Sequence, residues 1–382
     1  MSTHVEVTPE LLVWARQRSG LSFDDLAQRF PKLSAWERGD QLPTLKQLED
    51  FARATHTPVG FLFLPQPPEE QVPIPDYRTI GDSGVRNPSA DLLDVIYLCE
   101  QRQDWYRDYA LLNHEQPVEF VGSLTSAVPP ENAANAMRAA LGFSVEQRGS
   151  TWADALRTLI EHAETLGCLV MVSGVVGSNT HRKLNPREFR GFALADQFAP
   201  LVFVNGADTK AAQIFTLLHE LAHLWIGEAA LDDADLTAVP DAEVERWCNQ
   251  VTAEVLLPLS SLNYALEPGE TLTDAIERLA RQFKVSTLVV LRRIYDARRL
   301  SWDEYRAAYE AEIRRITRIL DERPASGGNF FNTQPVRVSR RFARAVVSST
   351  LEGQTLYRDA LQMLGFKKVS TLNKLASHLG IG

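Results

Sequence analysis

"FTLLHELAHLWIGE", residues 215–228, decides how this chain is read. Phe215, Leu217, Leu218, Leu221, Leu224, Trp225 and Ile226 make it a strongly apolar helix. Three polar residues interrupt it: His219, Glu220 and His223. Residues four apart in an α-helix lie one above the other, so both imidazoles point the same way. Two imidazoles so placed can take adjacent corners of a tetrahedral Zn2+ site. Glu220, beside the first of them, can reach a water at the open corner, whose pKa the ion lowers to roughly 7, and take its proton. The bland alternative is a partly buried helix with polar interruptions. Two histidines and a carboxylate are expensive in so apolar a segment without a role, which favours the metal.

A catalytic zinc takes a third protein ligand and keeps its fourth position open. The next helix, "DAEVERWCNQVTAEVLLP" (241–258), offers Glu245 and Glu254. They are nine residues apart and face opposite sides, so they cannot share one ion. Glu245 shares the polar face with Asn249 and Thr252, whereas Glu254 lies in a stripe with Trp247 and Val251. Glu245 is the expected ligand, Asn249 an acceptor that fixes a histidine ring, and Glu254 a buried hydrogen-bonding group.

These two segments together resemble the ImmA/IrrE family of zinc metallopeptidases. The match runs through His219, Glu220 and His223, then Glu245, Cys248, Asn249, Ala253, Glu254, Leu256, Leu257 and Pro258; it departs at Thr252, where Ala is usual. The resemblance implies an α+β, gluzincin-like domain over roughly 150–300, a small mixed sheet beside the HExxH helix. It implies a protease that cuts a specific protein such as a repressor. It also supports His219, His223 and Glu245 as ligands of Zn2+, with Glu220 as the catalytic carboxylate.

Outward from this core the chain has 382 residues, 45% hydrophobic and 23% charged, enough for two to four domains. The net charge of −9 argues against a molecule built as a whole to bind polyanions. The first ten residues lack a signal-peptide pattern, and the run at 166–177 is too short to span a bilayer. Cys99, Cys168 and Cys248 are few, odd in number and far apart, which fits a reducing cytoplasm and no membrane.

The expected fold is mostly helical, in four parts. Residues 1–65 read as a five-helix domain, and 66–150 as a connector that opens on a stretch (65–88) with six prolines. The metallopeptidase domain occupies 151–300, and a helical, basic region occupies 301–382. Strands are expected at 168–174 and as a hairpin within 188–206. "PLVFVNG" (200–206) reads either as a plain core strand or as an edge strand to which an extended substrate could add. Asp208 is the expected N-cap of the motif helix, Gly227 its stop, and 228–240 a polar loop. No oxyanion-stabilising residue stands out; His181, Arg190 and Tyr264 are the weak candidates, each readable as a surface or packing residue.

"GLSFDDLAQRFPKLSAWERGDQLPTLKQLEDFARAT" (20–55) resembles the helix-turn-helix of XRE/Cro-like repressors. Its recognition helix is short by about four residues against that pattern. Residues 1–65 carry seven Lys/Arg against eight Asp/Glu, a poor balance for phosphate contacts. Docking to protein competes with binding to DNA. Residues 331–382 carry eight Lys/Arg against two acids, with Arg337, Arg340, Arg341 and Arg344 at the spacing of one helical face. That face reads as solvated, or as a contact for nucleic acid or an acidic partner. The tail resembles the C-terminal region of longer ImmA/IrrE proteins, which implies a toxin–antitoxin or stress-response setting and a PIN-type nuclease partner. Two functions compete: a regulatory zinc endopeptidase that cuts a repressor or toxin–antitoxin partner, and an antitoxin or transcriptional regulator that binds its partner or DNA without proteolysis. Oligomeric state is left open.

Overall fold

The structure, a computed structural model, describes residues 4–70, 72–74, 88–145, 148–232, 243–321 and 336–381. The proline-rich linker falls largely outside these, as do most of the polar loop after the motif helix and the break at 324–335. Two compact units divide the chain, one within residues 1–73 and 80–97, the other within 74–79 and 98–382.

In the first unit, α1 (Pro9–Ser19) ends where Gly20 turns left-handed at φ 67°. Ser22 caps α2 (Phe23–Arg29) by accepting from the Asp25 amide at 3.1 Å. Thr44 and Gln47 form a reciprocal capping box on α4 (Leu45–Ala54). Between them α3 (Leu33–Glu37) has only 5 residues. A fifth α-helix was expected; Val59–Phe63 instead winds as a 3-10 turn. Leu11, Leu33, Trp36, Leu48, Phe51 and Leu62 fill the core.

The second unit is built on a sheet of order β1-β3-β2-β4. β1 (Leu169–Ser173) runs parallel to β3 (Leu201–Asn205), with Leu169 opposite Leu201. β2 (Gly191–Leu194) is antiparallel to β3 and, on its other side, to β4 (Ala230–Asp232). Three differences from the sequence reading follow. The hairpin forms as expected, but β3 is interior: both its edges are paired, so it cannot receive a substrate strand. The loop after the motif helix begins with a strand, because residues 230–232 close the free edge of β2. An extra helix, α10 (Leu259–Ala265), follows Pro258.

Every residue of β1, β2 and β3 is buried, which requires cover on both faces. Val170, Val172, Ala193, Val202 and Val204 face the cluster formed with α7 (Trp152–Thr165) and the motif helix, α8 (Lys210–Ile226). On the other face Phe192 and Phe203 stack at 5.1 Å. There α5 (Ala90–Leu112), from Leu98 onward, meets the sheet: Gln103 donates to the carbonyls of Leu194 and Ala199 at 2.9 and 2.8 Å, clamping the hairpin. The C-terminal α14 (Arg340–Leu351) packs against β1, and its Phe342 meets Trp105 edge-on at 5.5 Å. The C-terminal segment is thus part of this core.

That packing overturns the single basic face. Ser339, at φ 69°, breaks the chain between Arg337 and α14 and caps the helix. Glu164 at the end of α7 accepts from the Ser339 hydroxyl at 2.5 Å and the Arg340 amide at 2.8 Å, a carboxylate set on a helix N-terminus. Arg341 turns inward to the Tyr106 hydroxyl and Glu115, and Arg344 donates to the Leu379 carbonyl. The break at Ser339 parts Arg337 from the other three, while Arg340, Arg341 and Arg344 line one cavity together with Glu161 and Glu164. The tail continues through α15 (Tyr357–Leu364) and α16 (Val369–Leu379).

No disulfide joins the cysteines; all three are buried, and burial pushes the Cys99 thiol up to about 12. Among the described residues no helix is long and apolar enough to cross a membrane. Because Phe342 is fully buried in the second unit, Phe342→Ala is expected to lower its unfolding free energy by about 3–5 kcal/mol, read by urea denaturation. An unchanged midpoint would mean that the C-terminal segment is a separable tail.

Candidate metal centre

The motif helix owes its position to caps at both ends. Thr209, one residue later than expected, caps α8 by accepting from the Ala212 amide at 3.1 Å. Asp208 instead accepts from the Thr209 amide, and its carboxylate lies 3.6 Å from Arg190. Gly227 ends the helix at φ 78°. Between these caps every residue from Gln213 to Trp225 is buried. Its leucines hold it between α7, the sheet and α9 (Glu243–Leu256), at about 1.5–3 kcal/mol for each fully buried side chain.

A second element sets α9 over α8. In the 118–128 segment, the amides of Gly122 and Leu124 donate to the carbonyls of Leu224 and Trp225 at 3.0 and 2.9 Å. Phe120 packs on Trp225 at 4.3 Å, and Trp247, two residues beyond Glu245, donates its indole N–H to the Val128 carbonyl at 2.7 Å. The C-terminal end of α9 is held by arginines. Arg138 donates to the Glu254 carbonyl, Arg148 to Val255 and Leu256, and Arg293 to Leu257. Cations thus satisfy the orphan carbonyls at the negative end of the helix dipole.

The result brings His219, His223 and Glu245 together, all buried, with one ligand atom of each within 4.8 Å of the others. The two Nε2 atoms lie 3.2 Å apart; His219 Nε2 is 3.2 Å from Glu245 Oε2, and His223 Nε2 is 2.9 Å from Oε1. Ligands ~2.0–2.1 Å from a tetrahedral Zn2+ stand roughly 3.3 Å from one another, so these separations fit that ion. The His223–Oε1 approach is not aligned as a hydrogen bond, as suits lone pairs converging on a cation. Burial works to raise the Glu245 carboxyl, but the two imidazoles overcome it and hold the group well below the usual carboxylate range.

Glu220 is fully buried on the same helix, and the backbone of β2 presses against it. A Cβ built on Gly191 would fall 3.2 Å from Glu220 Oε1, 2.4 Å from the Thr216 methyl and 2.8 Å from the Phe203 carbonyl oxygen. Only glycine lets the strand approach the carboxylate so closely. Sequence reasoning missed Gly191, although a glycine inside a strand pattern is the usual mark of a close approach.

The remaining candidates lie elsewhere. Glu254 makes a buried ion pair with Arg293 on α12 (Thr287–Asp296). Asn249 does not fix a ring: no hydrogen bond joins its Oδ1 to Nδ1 of either histidine, because both rings turn Nε2 toward Glu245 and Nδ1 away. Tyr264 is 95% exposed on α10 and His181 is exposed in a loop, whereas the cluster is buried. Arg190 adjoins Gly191 in the chain.

Comparison with known families agrees with this geometry. Residues 163–295 match a peptidase family described as the IrrE N-terminal-like domain, which takes in β1–β4, α8 and α9. Residues 338–378 match a family described only as a domain of unknown function (DUF8813). No curated protein matches the chain.

Metal analysis should find about one ion per chain in the intact protein, and His223→Ala and Glu245→Ala should each lose it. Glu254→Ala should keep the ion and destabilise the fold by about 1–3 kcal/mol, since buried Arg293 loses one of its two carboxylate partners and keeps Asp296 at 3.1 Å. The metal requires neutral imidazoles and an ionised Glu245. Affinity should therefore fall as acid protonates the ligand groups, as chelator competition would read.

Proposed function

Since the chain carries an ImmA/IrrE-type metallopeptidase domain over residues 163–295, we propose that it is a zinc-dependent endopeptidase of gluzincin-like layout, cleaving a specific protein substrate in a regulatory role. The observation that carries this reading is the buried triangle of His219, His223 and Glu245, with Glu220 buried on the same helix and Gly191 close beside its carboxylate. Bound there, the ion supplies Lewis acidity: it polarises the substrate carbonyl and lowers the pKa of water.

The chain's own residues do the rest. Glu220 accepts a proton from the attacking water at a carboxylate oxygen as the water oxygen bonds to the scissile carbonyl carbon. As the C–N bond breaks, Glu220 returns that proton to the leaving amide nitrogen, so that a carboxylic acid and an amine result. Gly191 keeps the strand backbone from displacing the carboxylate, and the dry walls of α8, α9 and β2 strengthen every charge interaction inside. A repressor or a toxin–antitoxin partner is the class of target we favour, because a site this enclosed suits selective cleavage better than general digestion.

Glu220→Gln is the decisive variant. It should retain the metal and lower the cleavage rate by about 10²–10⁴-fold. New N-termini in cells should appear with the native chain and not with the variant. Full processing of the target by Glu220→Gln would sink the mechanism and favour the competing reading, neutralisation of a partner by binding alone.

A further inference from the structure

The metal centre does not account for a basic, aromatic groove of ≈ 720 Å³ between the 186–190 segment and α13 (Trp302–Asp321). Arg187 and Arg190 line one wall, and Arg306 and Arg314 line the other, against a single carboxylate, Glu310. On a chain of net charge −9 this is a local field of opposite sign. Its floor is aromatic. Tyr305 is fully buried and stacks on Tyr295 at 4.8 Å, and Tyr309 lies 5.8 Å further along. Trp302, packed 5.7 Å from Tyr305, leaves 41% of its surface open.

We infer that this groove is the docking site for an acidic, aromatic-bearing segment of the protein substrate. The inference rests on the peptidase reading of the metal centre. Its first support is continuity. Arg190 is the residue before Gly191, where β2 meets Glu220, and consecutive Cα atoms are only ~3.8 Å apart. The groove wall and the strand that lies against the catalytic carboxylate are thus one continuous stretch of chain. The wall at Arg190 is also rigid: its carbonyl accepts from the Asn205 amide at 2.7 Å, and its guanidinium lies 3.6 Å from Asp208.

Charge and size choose a peptide over a nucleic acid. Glu310 lies 3.5 Å from Arg306 and 3.9 Å from Arg314, and Asp208 lies 3.6 Å from Arg190, so three of the four guanidiniums are partly neutralised. A phosphate backbone needs successive uncompensated cations. A peptide with one or two carboxylates and an aromatic side chain matches what is present: Arg187 beside an open indole face. The volume falls within the ~300–1,000 Å³ of ordinary ligand pockets, room for a few side chains.

The test uses the full chain as Glu220→Gln, loaded with Zn2+, and fluorescence anisotropy at about 0.15 M salt. The probes are a labelled Asp/Glu/Phe peptide, its Asn/Gln/Phe counterpart and labelled oligothymidylate. The acidic peptide should bind, and Arg187→Glu combined with Arg314→Glu should weaken it by about tenfold or more, as should Trp302→Ala. Equal binding of the neutral peptide, or preference for oligothymidylate, would overturn the inference. On the native protein, the charge reversal should raise KM for a cleaved substrate and leave kcat unchanged. If cleavage persists with unaltered KM, the groove inference fails and the peptidase reading stands. If the native chain cuts nothing while the acidic peptide still binds, the peptidase reading falls, and with it the assignment of the groove to a substrate.

Discussion

Everything in the second unit depends on keeping two imidazole nitrogens and a carboxylate about 3 Å apart in a buried interior. Lone pairs crowded in this way repel unless a cation or protons lie among them, and the surrounding dielectric magnifies the repulsion. The fold supplies the opposing force as apolar burial. α8 is surrounded on all sides, and the leucines that flank its histidines contribute packing energy that individual polar contacts could not offset.

The braces around α8 and α9 follow from the same constraint. Two helices that share a metal must be fixed in rotation as well as in separation. The 118–128 segment does this by hydrogen bonding to α8 carbonyls and to Trp247, while arginines hold the far end of α9. None of these residues touches the ligand atoms. Their role is to leave Glu245 and the histidines one mutual arrangement, and the Glu254–Arg293 pair serves the same end deeper in the core.

The site was largely legible in the letters because its geometry is mostly local. Four residues of α-helix bring His219 and His223 onto one face whatever the rest of the chain does, and a wheel argument separates Glu245 from Glu254. The strand roles were not legible. The letters of β3 read equally as a core or an edge strand; its neighbours come from 169–173 and 191–194, and no local rule states which strands will pair. The four arginines of the tail show the same limit. Their spacing describes one face, but the helix begins at Arg340 because Glu164, far off in sequence, accepts from Ser339 and Arg340.

By itself the sequence determined most of the helices and the hairpin, the cap at Ser22, the motif helix ending at Gly227, and the three residues able to hold a metal; each follows from side-chain chemistry at fixed local spacing. Only the tertiary structure decided that β3 is central, that residues 230–232 close the sheet, that Gly191 lies against Glu220, and that the C-terminal helix belongs to the core. Those features are long-range contacts, selected by how whole surfaces pack, and local spacing carries no record of them.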